Sequence, residues 1–259
     1  IESVLLQLGG LVSLARDLGQ LRTIEATALN ILSSCSVSPA RVAEFVNRTQ
    51  AELSLFRGEW ALTLETFRPT AVTLRQSGKV PSPAFINLIM VMTTLELNRF
   101  MSLVDLSEAE AALRVNIGLS DGLPLWTSYF RVILASRQKL FTQARQLLVE
   151  LFDTPGESQL RTVKILRLAA EVELLLAEER WDETVAACRE LIAIYQTIGH
   201  RWRLARALID LGDALARRSG PGNLEQARET YQQALDMFTE MGAPGYIQVL
   251  EERLGSKAL

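Results

Sequence analysis

Residues 179–200 read Glu179-Arg180-Trp181-Asp182-Glu183, then an apolar-periodic run to Ile198, then a Gly199-His200 break. A second run carries Leu208, Leu211-Gly212 and Leu215. After the polar turn Ser219-Gly220-Pro221-Gly222, a third run opens at Asn223-Leu224-Glu225-Gln226-Ala227 and sets Tyr231 and Ala234 on one face. Apolar residues three and four apart lie along one side of a helix. The stretch therefore predicts helices joined by short turns, with small residues where two helices approach closely. Such a unit cannot bury its apolar face alone, so copies are expected elsewhere in the chain.

Working outward, the same signature recurs: a short turn followed by a large apolar residue that opens the second helix of a pair. The markers are Leu21, Trp60, Phe100, Phe141, Trp181 and Leu224, separated by 39, 40, 41, 40 and 43 residues. That period belongs to the ~40-residue class of stacked helical arrays and exceeds the ~34 residues of a standard tetratricopeptide repeat. Helix-start signals support the phasing. Ser38-Pro39 and Ser82-Pro83 place a serine cap before a proline, whose missing N–H costs nothing at the first helical position. Ser107-Glu108-Ala109-Glu110 is a capping box, and Thr154-Pro155-Gly156-Glu157 combines both signals. Helices are expected over 1–19, 21–34, 39–56 and 60–76, the last bent or split at Pro69. Others are expected from Ser82 to Leu97, from Ser107, over 124–138, 141–152 and 157–178, and in the final pairs. A capping helix is expected over 243–254. No stretch alternates as a strand does.

The last pair resembles a tetratricopeptide repeat: Leu208, Leu211-Gly212, Leu215, Ala227, Tyr231 and Ala234 fall on that family's small and large slots. The turn at Ser219-Gly220-Pro221-Gly222 is three residues too long, and Thr184 and Thr63 stand where the other pairs would carry alanine. With the ~40-residue period, the chain is similar to the superhelical tails of maltose-regulator-like and related large signal-transduction ATPases. Phe238-Thr239-Glu240-Met241-Gly242-Ala243-Pro244 resembles the close of such tails. The resemblance implies an all-α, right-handed solenoid of about six helix pairs forming one domain over residues 1–259, with the C-terminal capping helix. It also implies a module that senses a ligand or a protein on its concave face within a larger cytoplasmic regulator. A constitutive interaction scaffold is the alternative. The partner would be a protein, a peptide or a small-molecule effector.

The same resemblance selects the positions that face the concave side of each first helix: Phe45, Arg48 and Glu52; Phe85 and Met92; Trp126, Tyr129 and Ile133; Glu173; Arg206 and Asp213. Two readings of these residues stand together. They line a binding groove, or, in a tightly coiled array, Phe85 and Trp126 pack against the next helix.

Composition narrows the class. The 259 residues are 48% hydrophobic and 22% charged, with a net charge of −3, so no global field favours nucleic acid or acidic lipid. Cys35 and Cys188 lie far apart in helical patterns, as reduced, buried thiols of a cytosolic protein would. The longest apolar stretch, Phe85 to Leu97, is interrupted by Asn87, Thr93, Thr94 and Glu96 and falls short of the ~18 residues of a membrane span. The chain begins at Ile1 inside a helical pattern and is read as part of something longer. Gly118-Leu119-Ser120-Asp121-Gly122 matches a nucleophile elbow by letters, but no strand precedes it and the sole histidine, His200, is two repeats away. Phosphate-loop and dinucleotide motifs are absent, and one histidine makes no metal site. The expectation is no catalytic residues, no cofactor and no metal. Asn47-Arg48-Thr49 is a glycosylation sequon only by letters, since it falls inside a helix. Arg201, Trp202, Arg203 and Arg206, with Arg217-Arg218, read either as a basic aromatic patch or as arginine stems that cover neighbouring helices and pair with carboxylates.

Overall fold

The computed structural model describes residues 50–77, 82–101, 105–117, 124–150, 161–218 and 220–255, with scattered positions near the start of the chain. Among the described residues it is all-helical. A helical segment, 50–56, precedes α1 (Trp60–Ser77), α2 (Ser82–Met101), α3 (Ser107–Ile117), α4 (Pro124–Arg137) and α5 (Phe141–Glu150). These are followed by α6 (Arg161–Ala177), α7 (Trp181–Ile198), α8 (Arg201–Arg217), α9 (Asn223–Met241) and α10 (Pro244–Gly255). None of these helices is long and apolar enough to cross a membrane.

The turn signature has a common backbone cause. Before α1 the chain passes through Gly58 in the left-handed region, before α5 through Lys139, and before α7 through Glu179. In each case that residue's N–H donates to the carbonyl three residues back, and the next N–H reaches five back: Glu59 to Ser54, Leu140 to Ala135, Arg180 to Leu175. This satisfies carbonyls that the end of a helix leaves without partners. Trp60, Phe141 and Trp181 then start the next helix, as the marker spacing predicts.

Two markers behave differently. Phe100 does not open a helix; it lies in the last turn of α2, which runs on to Met101. Nothing in Asn98-Arg99-Phe100 stops a helix, and Arg99 and Phe100 are held by inward contacts described below. Leu224 does open α9 but is 44% exposed. Pro69 bends no chain break into α1, which is continuous around it. Most of the helices expected over 1–19, 21–34 and 39–56, with Leu21, Cys35, the sequon, the Gly118–Gly122 loop and the 154–157 start, lie outside the described residues.

Each helix packs on its chain neighbours, and α2, α4, α6 and α8 also touch one another in turn. This inner row turns back on itself. Trp202 of α8 donates its indole N–H to the carbonyl of Phe56 at 3.0 Å. The N–H of Gly245, in α10, donates to the carbonyl of Arg57 at 3.0 Å. The approach is so close that a Cβ on Gly245 would sit 2.1 Å from the Gly58 oxygen. Tyr246 fills the junction, stacked on Phe238 at 4.4 Å and edge-on to Trp60 at 5.0 Å. A second close approach lies between α8 and α9: a Cβ on Gly212 would meet the Tyr231 ring at 2.4 Å. That contact is why a glycine stands beside Leu211 in the middle of a helix, where it otherwise costs about 1 kcal/mol against alanine.

Candidate functional site

The closed inner row carries a cluster of charged side chains beside its apolar core. Glu96 and Arg99 project from α2, Arg137 from α4, Glu173 from α6, Arg206, Asp210 and Asp213 from α8, and Arg253 from α10. Burying charges this way is costly unless each is paired and hydrogen-bonded. Here they are. Arg206 donates to Glu96 at 3.1 Å, to Glu173 at 3.3 Å, and to Asp210 one helical turn away. Arg99 reaches Glu173 and Asp213, each at 3.1 Å, and pairs with Asp210. Arg137 pairs with Glu173. Arg253 holds Asp213 at 2.7 Å, where the Tyr231 hydroxyl also donates. The Tyr246 hydroxyl donates to Glu96 at 3.1 Å.

The electrostatics follow from these contacts. Burial opposes the Glu173 charge, but Arg137, Arg99 and Arg206 outweigh it and bring the carboxyl down to about 2. Burial likewise opposes the charge on Asp213, and Arg253 and Arg99 bring it down to about 2. Asp210 goes the other way: burial raises it despite Arg206 and Arg99. Burial beside Glu96 pushes the Tyr246 phenol up, so it stays a neutral donor.

Against this network lies a cavity of about 60 Å³. Six of the residues selected from the sequence line it: Met92, Trp126, Tyr129, Ile133, Glu173 and Arg206. They come from α2, α4, α6 and α8, so the expected spacing brings together side chains more than a hundred residues apart. Asp213 belongs to the adjoining network. Glu52 is buried, but it is not in the cavity lining. Phe45 and Arg48 lie outside the described residues, and of Phe85 only its place in α2 is described. Trp126 is half-buried and packs edge-on to Tyr129 at 6.0 Å, so it both packs and lines the cavity.

Several residues at the centre were not selected from the sequence. Arg99 was hidden by its placement in a supposed turn. Glu96 carries a legible signal, because a carboxylate inside an otherwise apolar helix needs a cationic partner. The residues of the basic patch do not share one surface: Trp202 is buried, Arg201 pairs with Glu240, Arg206 is interior, Arg218 meets Asp182 and Arg217 lies over Trp181. Arg201, Arg206 and Arg218 pair with carboxylates, as the pairing alternative has it. His200 caps α8, its Nδ1 accepting from the N–H of Arg203 at 3.5 Å. Cys188 is buried and unpaired with another cysteine, and burial pushes its thiol up. Among the described residues no cluster of histidine, cysteine and carboxylate side chains is set to hold a metal ion.

No protein-family model, curated protein or solved structure matches this chain.

Proposed function

We propose that the chain is a sensing module of tetratricopeptide-like helical repeats, a right-handed solenoid belonging to a larger cytoplasmic signalling or transcription regulator of the ATPase type. Its effector enters the inner face of the array. The observation that carries this reading is the cavity itself: four inner helices each contribute lining residues, and six of them occupy positions that a repeat of this kind turns inward. A ligand there touches helices from widely separated parts of the chain. Small shifts between stacked helices sum into a change of curvature, which an attached domain can read. The recurring turn geometry before α1, α5 and α7 supports the repeat reading.

Thermal unfolding against a chemically diverse set of neutral, cationic and anionic small molecules tests it. A binder of the folded state raises the melting temperature in proportion to RT ln(1 + [L]/Kd). Trp126→Ala should weaken that binding by more than about 1–2 kcal/mol, measured as the ligand-induced rise above the variant's own unliganded melting temperature, because loss of a packed indole lowers that baseline. A chain that answers to no small molecule is not a sensor of this kind.

A scaffold reading is favoured by one other feature. A groove of about 290 Å³ runs between the start of α1, the end of α2 and α10, rimmed by the exposed Leu62 and Met101. A protein partner seated there would leave the inner cavity untouched, and Leu62→Asp would abolish its binding.

A further inference from the structure

Among the described side chains of the network and the cavity lining, the charges balance with one exception. Four guanidiniums, Arg99, Arg137, Arg206 and Arg253, are matched by four carboxylates, Glu96, Glu173, Asp210 and Asp213. A fifth guanidinium, Arg203, also lines the cavity and forms no ion pair with any described residue. Its neighbours are aromatic. It sits over the Trp126 ring at 5.3 Å and lies against the phenols of Tyr129 and Tyr195. Ring faces and neutral hydroxyls stabilise a cation without cancelling its charge. On the same lining, Nε of Arg137 is buried and has no hydrogen-bond partner. A buried donor without a partner is costly, and a guanidinium presents a planar fork suited to a carboxylate.

We propose that the cavity is a binding site for a small monocarboxylate, whose anionic head pairs with Arg203 and whose short apolar end meets Trp126 and Ile133. The inference rests on the sensing role proposed above and gives its effector a chemical class. Size sets the upper limit. At about 60 Å³ the cavity holds on the order of four water-sized groups, which suits acetate or a carboxylate little larger. Charge sets the sign: one monoanion completes the pairing, whereas a cation would add to the single excess positive charge. A neutral molecule would leave Arg203 as it is.

The test uses sodium acetate, with acetamide as its neutral isostere, at constant chloride and ionic strength. For the wild-type chain, acetate should raise the melting temperature saturably, by about 2–4 °C at roughly five times its Kd, and acetamide should not. Arg203→Gln should abolish the response and Arg203→Lys should keep part of it. Should Arg203→Gln fail to fold, the intrinsic fluorescence of the wild type decides: it should change saturably with acetate, and Trp126→Phe should remove that change. Equal responses to acetate and acetamide, or a folded Arg203→Gln that responds like wild type, overturn the inference. So does the absence of any acetate response. If the chain answers only to neutral or cationic molecules, the carboxylate assignment falls and the sensing role stands; if it answers to nothing, both fall.

Discussion

Gly245 and Arg57 are joined through their backbones, the N–H of the first donating to the carbonyl of the second at 3.0 Å, although they stand 188 positions apart in the chain. This contact closes the inner row of helices. It requires glycine on α10, because any side chain at 245 would collide with the Gly58 carbonyl. Gly245→Val should therefore destabilise the fold by about 1–3 kcal/mol, the usual cost of forcing atoms into a packed junction. The melting temperature reads it directly. An unchanged value would mean that the two ends part without cost.

Removing Arg206 should cost more. Its guanidinium serves Glu96, Glu173 and Asp210 together, so Arg206→Met strands buried carboxylates, at about 3–5 kcal/mol. Adding Glu96→Gln should return part of that loss, because the second change removes one of the stranded charges. Denaturant unfolding of the two single variants and the double variant measures the coupling. Additive losses would show that Arg206 and Glu96 do not depend on each other.

Stability should fall in acid. Glu173 and Asp213 ionise near 2 when folded, against ordinary values of 4.5 and 3.8. A depressed folded pKa contributes stability above the unfolded value and loses it as pH falls through the folded one. The free energy of unfolding should be level above about pH 5 and fall between about pH 5 and pH 2, by a few kcal/mol in all, and the melting temperature should fall with it. Asp210, raised by burial, takes up its proton earlier in the folded protein and offsets part of the loss. Melting curves across this range should show the drop little changed by salt, since the groups are shielded from solvent ions. A level profile down to pH 2 would mean that these pairs do not hold in solution.

The turn before α7 carries a correctable strain. Glu179 is exposed and holds a φ of 59°, where a Cβ crowds the backbone. Glu179→Gly should stabilise by about 0.5–1 kcal/mol, the relief of that crowding less the extra freedom glycine has when unfolded. Glu179→Ala should give no such gain, and the two melting temperatures compared side by side settle the cause.

The sequence makes the helices and most of their boundaries legible, because turn chemistry and apolar spacing are local. Trp60, Phe141 and Trp181 open helices where their spacing puts them. Phe100 does not, because its role is set by Arg99, Arg206 and Arg253 packing over its ring from three helices. Six of the positions that the resemblance selects line one cavity, from four helices. The meeting of Glu96 with Arg206, and the closure by α10, depend on how far the whole array turns. That total is the sum of many small helix-to-helix rotations, and no local pattern fixes it. Arg203 is the sharpest case: beside Trp202 it reads as part of a surface patch, and only the closed row places it against Trp126.

Two hydrogen bonds that fasten the last helices to the segment before α1 end on main-chain oxygens, those of Phe56 and Arg57. Every residue type supplies that acceptor, so substitution at 56 or 57 leaves both bonds available as long as the chain keeps its course. The fastening thus reads the route of the backbone rather than the identity of its side chains. An insertion or deletion in the 57–59 turn should undo it where exchange of the Arg57 side chain does not.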